Sequence, residues 1–228
     1  MFLDYWYIVL VIPAIIFSLI AQGLVNSTYS KYSKVMSRKG MTGQDMAYQI
    51  LRNNGIVDVS VTNIAGKLTD HYDPRTKVIR LSEDVFNSSS VAALGIAAHE
   101  AGHAVQHSVG YVPIKARNAF LPIANIGSSL SVPLIFIGIL FDFAALAQAG
   151  VIFFACVVLF QLLTLPVEFN ASSRAITALE TGYVLDSDEI GGTKKVLRAA
   201  AMTYVAGLAV SLAQLLRFMI LVSGRRRR

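Results

Sequence analysis

The chain has 228 residues, of which 54% are hydrophobic and only 15% are charged, and its mean hydropathy is +0.56. This composition is too apolar for an ordinary soluble domain of this length and predicts a protein that lies largely in a lipid bilayer. The net charge of +6 and four arginines at residues 225–228 predict contact with lipid phosphates, and we expect no nucleic-acid partner. The single cysteine excludes an intrachain disulfide.

The first apolar segment, residues 5–25, is long enough to cross a bilayer, and the aromatic residues at positions 5–7 are typical of a membrane interface. Asp4 stands where a secretory signal would carry positive charge. We therefore interpret residues 1–25 as a retained N-terminal membrane anchor, rather than as a leader cleaved near Ala21.

The polar stretch after the anchor is predicted to begin an α/β subdomain that covers residues 26–118. Thr42 and Asp45 have the spacing of a capping box, which predicts a helix that runs through Arg52 and is ended by Gly55. Valines at positions 57, 59 and 61 alternate with polar residues, as in a half-buried strand.

Residues 67–72 and 77–81 flank a proline-containing turn at 73–76, and this pattern predicts a β-hairpin. Asp70, His71 and Asp73 are polar groups that could support a catalytic site. A structural role in the turn is the favoured interpretation, because short polar side chains commonly bind the backbone of turns.

A long helix is predicted next. Three serines at positions 88–90 offer N-caps, residues 91–109 contain no proline, and Gly110 suits the position after a helix. Residues 91–98 are apolar almost all round, which predicts that this half of the helix is buried.

Residues 99–103 of that helix read HEAGH, which is a zinc-hydrolase pattern. His99 and His103 lie one turn apart on the same face, where two imidazoles can bind one tetrahedral metal ion. Glu100 lies on the flank of that face, from which its carboxylate can take a proton from water without becoming a ligand. His107 lies about 12 Å along the axis from His99, too far to share the ion, so a third ligand must come from elsewhere.

Three further apolar segments are predicted to cross the membrane, at roughly residues 119–141, 150–165 and 199–222. Pro133 is tolerable inside a span if neighbouring groups satisfy the freed carbonyl. Arg217 is costly in mid-bilayer, and we expect its side chain to reach the interface from near the helix end.

The HEAGHAVQH helix, the upstream DHYDPRTKVIRLS and the downstream PVEFNAS together resemble the YugP-type neutral zinc membrane metallopeptidases, a group with an HExxH site similar to that of the Glu-zincins. The resemblance covers nearly the whole chain. It implies that His99, His103 and Glu168 bind one zinc ion and that Glu100 is the catalytic base. Independently of the resemblance, Glu168 follows Pro166 at the end of an apolar run, and the alternative to a ligand role is a surface carboxylate at a helix end.

The resemblance leaves one supporting residue open. Related membrane proteases carry an aspartate four residues after the ligand glutamate, whereas this chain has Ser172 there, so the residue that orients a zinc-binding histidine is left open.

The resemblance also indicates how substrate could bind. In similar zinc proteases an edge strand pairs with the peptide substrate, and one strand of the predicted hairpin is our candidate. Candidates for stabilising the oxyanion are Tyr111, His107, Arg174 and Tyr183.

Topology is consistent with this ligand set. Two predicted spans separate His99 from Glu168, so both face the same side of the membrane. Residues 26–118 and the helical segment 166–198 then form one composite polar region. The transmembrane hairpin 119–165 connects them, and residues 199–228 form a C-terminal membrane helix and basic tail.

Nine lysines and arginines near the spans favour a cytoplasmic active site under the positive-inside rule. They are at positions 31, 34, 38, 39, 115, 117, 194, 195 and 198. With four complete spans the four arginines of the tail would then lie outside, which argues against this orientation, but they are fewer. We expect the protein to lie in the plasma membrane of a prokaryote.

We therefore predict a mainly α integral membrane protein with about four transmembrane helices and a small zincin-like α/β subdomain. The predicted function is that of a zinc metalloendopeptidase acting on unfolded or membrane-proximal polypeptides. The main alternative is a non-catalytic adaptor or chaperone-like module in which zinc only joins two segments, and it would require a fourth protein ligand in place of water. A transporter is disfavoured because few ionisable residues fall inside the spans.

Overall fold

The computed structural model of the protein describes residues 4–182 and 185–225. Predictions that concern residues 1–3, Tyr183 or the tail beyond Arg225 lie outside the described residues. In chain order the elements are a π-helical turn at Tyr7–Val11, α1 (Ile12–Tyr32), α2 (Gly43–Asn53), β1 (Ser60–Ile64), β2 (His71–Asp73), β3 (Val78–Ser82), α3 (Glu83–Phe86), α4 (Val91–Ser108), α5 (Val112–Leu140), α6 (Ala144–Thr181) and α7 (Ser187–Arg225).

Four helices in the described part of the chain are long and apolar enough to cross a membrane. They are Tyr7–Tyr32, Val112–Leu140, Ala144–Thr181 and Ser187–Gly224. Many of their large apolar side chains are exposed, as contact with lipid requires. The predicted fold class, a mainly α membrane protein with about four spans and a small α/β part, is confirmed.

Helix α6 is continuous across Pro166. It contains the predicted span 150–165 and the first part of the predicted helical segment 166–198, and it ends at Thr181. Proline removes one N–H and frees one carbonyl a turn earlier, and the hydrogen bonds on either side keep the helix intact. Residues 166–198 therefore belong to two long helices, α6 and α7, with a short connection between them.

The chain forms two compact units. The first consists of Met1–Gln22, Lys115–Leu165 and Met202–Arg228. Its core contains Ile135, Ile139 and Phe218, and the rings of Phe154 and Phe218 meet edge to face with centroids 5.2 Å apart. This unit contains most of the apolar length of the four long helices.

Arg217, in the first unit, is paired with an acidic residue. It is only 7% exposed, and its Nε donates to Oδ2 of Asp4 at 2.9 Å. The guanidinium also lies 5.0 Å from the ring centre of Tyr7. A carboxylate more than 200 residues earlier in the chain therefore neutralises the charge locally, next to the aromatic residues predicted to lie at the membrane interface.

The second unit consists of Gly23–Ile114 and Pro166–Ala201. It contains a three-stranded sheet in the order β1-β3-β2, in which β2 and β3 are antiparallel and β1 and β3 are parallel. The predicted hairpin is confirmed as β2 and β3. The predicted strand begins later than expected, because Val57 precedes β1 and is 93% exposed, while Val59 and Val61 are buried.

The core of this unit lies between the sheet and the helices α2 and α4. Ile79 and Leu81, two residues apart on the central strand β3, are both fully buried. The predicted capping box is confirmed at the start of α2: Thr42 Oγ1 accepts from the backbone N–H of Asp45, whose carboxylate accepts from the backbone N–H of Thr42. This core holds α4 against the sheet.

Candidate metal centre

Helix α4 carries the HEAGH motif and has the predicted bounds to within a residue. Ser90 is its N-cap, with Oγ accepting from the N–H of Ala93 at 3.2 Å. At the other end Gly110 adopts a φ of +66°, which costs a glycine little. The apolar first half is buried as expected, so the helix is held in place before it reaches the polar residues.

The structure brings together the three predicted ligands. Oε2 of Glu168 lies 3.3 Å from Nε2 of His99 and 3.6 Å from Nε2 of His103. One donor atom from each residue lies within 4.8 Å of the others, and all three residues are in the second unit. His107 is exposed and is not in this group.

The two distances from Glu168 to the histidines fit a zinc ion. Bonds of about 2.0–2.2 Å in a tetrahedron put neighbouring donor atoms about 3.3–3.6 Å apart. Glu168 is only 3% exposed, and its Oε2 has no hydrogen-bond partner among the described residues. A buried carboxylate oxygen without a partner is unfavourable by about 1–3 kcal/mol, and a bound cation would remove that cost.

A glycine inside the motif allows the helices to approach closely enough for this arrangement. A Cβ on Gly102 would lie 2.9 Å from the backbone carbonyl oxygen of Ala171 in α6. Backbone atoms cannot move aside as a flexible side chain can. The glycine between the two histidines therefore permits the helix contact that brings Glu168 to them.

Neutral groups contact the outer nitrogens of both imidazoles. Ser172 Oγ lies 3.2 Å from Nδ1 of His99, and Oε1 of Gln106 lies 3.0 Å from Nδ1 of His103. Ser172, four residues after Glu168, therefore contacts the imidazole whose orienting residue the sequence left open. No charged residue contacts either outer nitrogen within the described ranges 4–182 and 185–225.

Glu100, next to His99 in the sequence, is only 8% exposed. Burial disfavours the charged form of His103, but the carboxylates of Glu168 and Glu100 outweigh it, so the pKa of His103 is raised. Burial, with a contribution from the charge of Glu100, also raises the pKa of Asp70. The charge of Glu100 therefore acts both on a predicted metal ligand and on Asp70, which directly precedes β2.

Strand β2 is an edge of the sheet and packs against α4. The ring of Tyr72 on this strand lies 6.1 Å from that of His107. The other polar residues of the hairpin have structural roles. Asp70 accepts from the N–H of Ser82, Nδ1 of His71 lies 2.8 Å from the carbonyl of Thr69, and Asp73 accepts from Thr76 and the N–H of Arg75.

One of the oxyanion candidates has another partner for its side chain. Arg174 donates from Nε to Oδ1 of Asn170 at 2.8 Å and lines a cavity of about 300 Å³ between α2, α4 and α6. The backbone N–H of Tyr111 donates to the carbonyl of Gln106 at the end of α4. Tyr183 lies outside the described residues.

Sequence reasoning missed Gln106 and Tyr72. Gln106 is fully buried, and the signal for it was a lone amide three residues after His103 on a helix face that is otherwise apolar or metal-binding. Tyr72 could be recognised only after β2 was known to be the strand beside α4. Both residues acquire their significance from tertiary contacts.

The fold and the site together define a helical membrane protein with an HExxH-type cluster of zinc-ligand residues. Residues 7–223 match the family described as "putative neutral zinc metallopeptidase", and the chain belongs to this family. It is 46% identical over 221 residues to a protein of Bacillus subtilis (strain 168) described as "putative membrane protease YugP", covering 96% of this chain and 98% of that one. No solved structure matches the chain.

Proposed function

We propose that the protein is an integral-membrane zinc metalloendopeptidase that hydrolyses peptide bonds in unfolded or membrane-proximal polypeptides. The observation that carries this proposal is the convergence of His99, His103 and Glu168 beside the carboxylate of Glu100. The group contains three donors among the described residues. Three protein ligands leave a coordination position open, as catalysis requires, whereas a purely structural zinc site has four.

In the proposed mechanism His99, His103 and Glu168 hold one zinc ion. When bound, zinc would act as a Lewis acid and make water a better nucleophile near neutral pH. Glu100 accepts the proton of the attacking water and then donates it to the departing amine, which has to leave as a neutral group. The buried position of Glu100 limits competition from bulk water for that proton.

The edge strand β2 is our candidate for binding the substrate. Its position at the side of the sheet and against α4 supports pairing with an extended peptide near Glu100. Such pairing uses backbone groups, so it suits polypeptides of varied sequence that are already unfolded. Folded proteins would not present a free strand to this edge.

Metal removal tests the proposal directly. The full chain, purified in detergent, is expected to cleave unfolded casein, to lose this activity on incubation with a chelator, and to regain it with stoichiometric zinc. The measurement is the rate of release of fluorescent peptides from labelled casein, together with metal content by mass spectrometry. Cleavage that persists in metal-free protein would contradict the proposal.

We also propose that the active site faces the cytoplasm, with the protein in a prokaryotic plasma membrane. The support is the positive charge near the spans, in particular the four lysines and arginines between the last turn of α1 and the start of α2. A cysteine introduced at exposed Asn87, in a Cys156→Ser background, should react with an impermeant maleimide in inverted vesicles. Labelling in right-side-out vesicles instead would reverse the assignment.

A further inference from the structure

Gln106 has every polar atom of its side chain engaged. It is fully buried on α4, and its Oε1 lies 3.0 Å from Nδ1 of His103. Its Nε2 donates to the backbone carbonyl of Val167 at 2.8 Å and to Oδ1 of Asn170 at 3.0 Å. The amide thus joins α4 to α6 directly behind one of the proposed zinc ligands.

The direction of these hydrogen bonds follows from Arg174. A guanidinium has donors only, so the Asn170 atom that faces Nε of Arg174 at 2.8 Å must be the oxygen. That oxygen also faces Gln106, so the Gln106 atom next to it must be the amide nitrogen. The carbonyl of Val167, which can only accept, requires the same orientation.

The orientation of Gln106 in turn determines the form of His103. With the amide nitrogen directed at Val167 and Asn170, the amide oxygen faces the ring and can only accept a hydrogen bond. Nδ1 of His103 must therefore carry the proton. In the neutral ring, Nε2 then has its lone pair free on the side of His99 and Glu168, which is the form that binds a metal.

We propose that Arg174, Asn170 and Gln106 form a positioning relay that holds His103 in the tautomer needed for zinc binding. This inference rests on the proposed function. It also gives Arg174 a role other than oxyanion stabilisation. His99 has no equivalent relay in the described part of the chain, because its outer nitrogen meets the hydroxyl of Ser172, which can either donate or accept.

Removing the amide tests the relay. Gln106→Met keeps the length of the side chain but loses the strong acceptor. We expect the zinc Kd of the full chain, measured by chelator competition in detergent, to rise roughly 10–100-fold, the usual effect of losing a group that orients a metal-binding imidazole. The matched control is Gln49→Met, in the same unit, whose Oε1 has no hydrogen-bond partner among the described residues, and we expect no change there.

A second readout separates orientation from simple helix packing. In metal-free protein labelled with ¹⁵N-histidine and held at an alkaline pH at which the ring is neutral, the His103 signal, assigned by its loss in His103→Ala, should report protonation on Nδ1. Gln106→Met should give a mixture of tautomers. Ser172→Ala should leave this signal unchanged, although it also removes a contact between α4 and α6.

Arg174 provides an independent variant if Gln106→Met does not fold, because its side chain lines a cavity instead of filling the core. Arg174→Met should raise the zinc Kd and mix the tautomers, and Arg174→Lys, which keeps a donor-only group, should restore both in part. Wild-type zinc affinity and tautomer in Gln106→Met or Arg174→Met, with zinc lost in His103→Ala, would overturn the relay and leave the proposed site standing. Retention of zinc in His103→Ala would overturn both.

Discussion

Replacing Glu100 by glutamine is expected to reduce casein cleavage by roughly 100- to 10,000-fold, the range that a positioned general base ordinarily contributes. The amide has nearly the same size but cannot accept a proton from water at neutral pH. Because Glu100 lies outside the group of three donors, zinc content should stay at the wild-type level. The measurement pairs initial rates with metal analysis on the same preparation.

Glu83→Gln is the matched control for this experiment. Glu83 is an exposed carboxylate of the second unit, and its loss should change neither the rate nor the metal content. If Glu100→Gln kept both full zinc and full proteolysis, the assigned base would be wrong. If it lost zinc as well, Glu100 would be a ligand instead of a base.

Replacing Glu168 by glutamine is expected to remove zinc. The change replaces the only negatively charged donor of the group by a neutral amide, so the loss of affinity should exceed the roughly 10–100-fold that an orienting partner contributes. Zinc stabilises a protein that binds it only when folded, by about 2.7 kcal/mol at a concentration of 100 Kd. The zinc-dependent rise in Tm should therefore be present in the wild type and absent in Glu168→Gln.

Glu180→Gln controls for a lost carboxylate on the same helix, since Glu180 is exposed and pairs with Lys194. It should keep the zinc-dependent rise in Tm. An undiminished response to zinc in Glu168→Gln would exclude Glu168 from the site.

Local rules account for what the sequence predicts well. The capping box at Thr42, the N-cap at Ser90 and the glycine at 110 each act within one helical turn, so the bounds of α2 and α4 follow from neighbouring residues alone. The relation of His99 to His103 is equally local, because it depends only on helical geometry. The assignment of Glu168 as the third ligand rests instead on the family resemblance, because no local pattern identifies it.

What the sequence does not reveal depends on how distant elements meet. The amide of Gln106 binds the carbonyl of Val167 in α6, 61 residues later in the sequence. Which carbonyl it meets depends on how α4 and α6 are aligned along their lengths. The parallel pairing of β1 with β3 requires a crossover that turn signals do not encode. Asp4 and Arg217, at opposite ends of the chain, meet only after the long helices have packed.

The outer strand β2 is only three residues long, which corresponds to about 10 Å of extended chain. A template of that length can align only a few peptide units, so we expect little preference for any particular cleavage motif. The rate of proteolysis would then depend on the concentration of unfolded chain ends and damaged loops close to the bilayer. Such an enzyme would be suited to degrading damaged proteins. A regulatory protease that cuts one particular bond would need a longer strand to align its substrate.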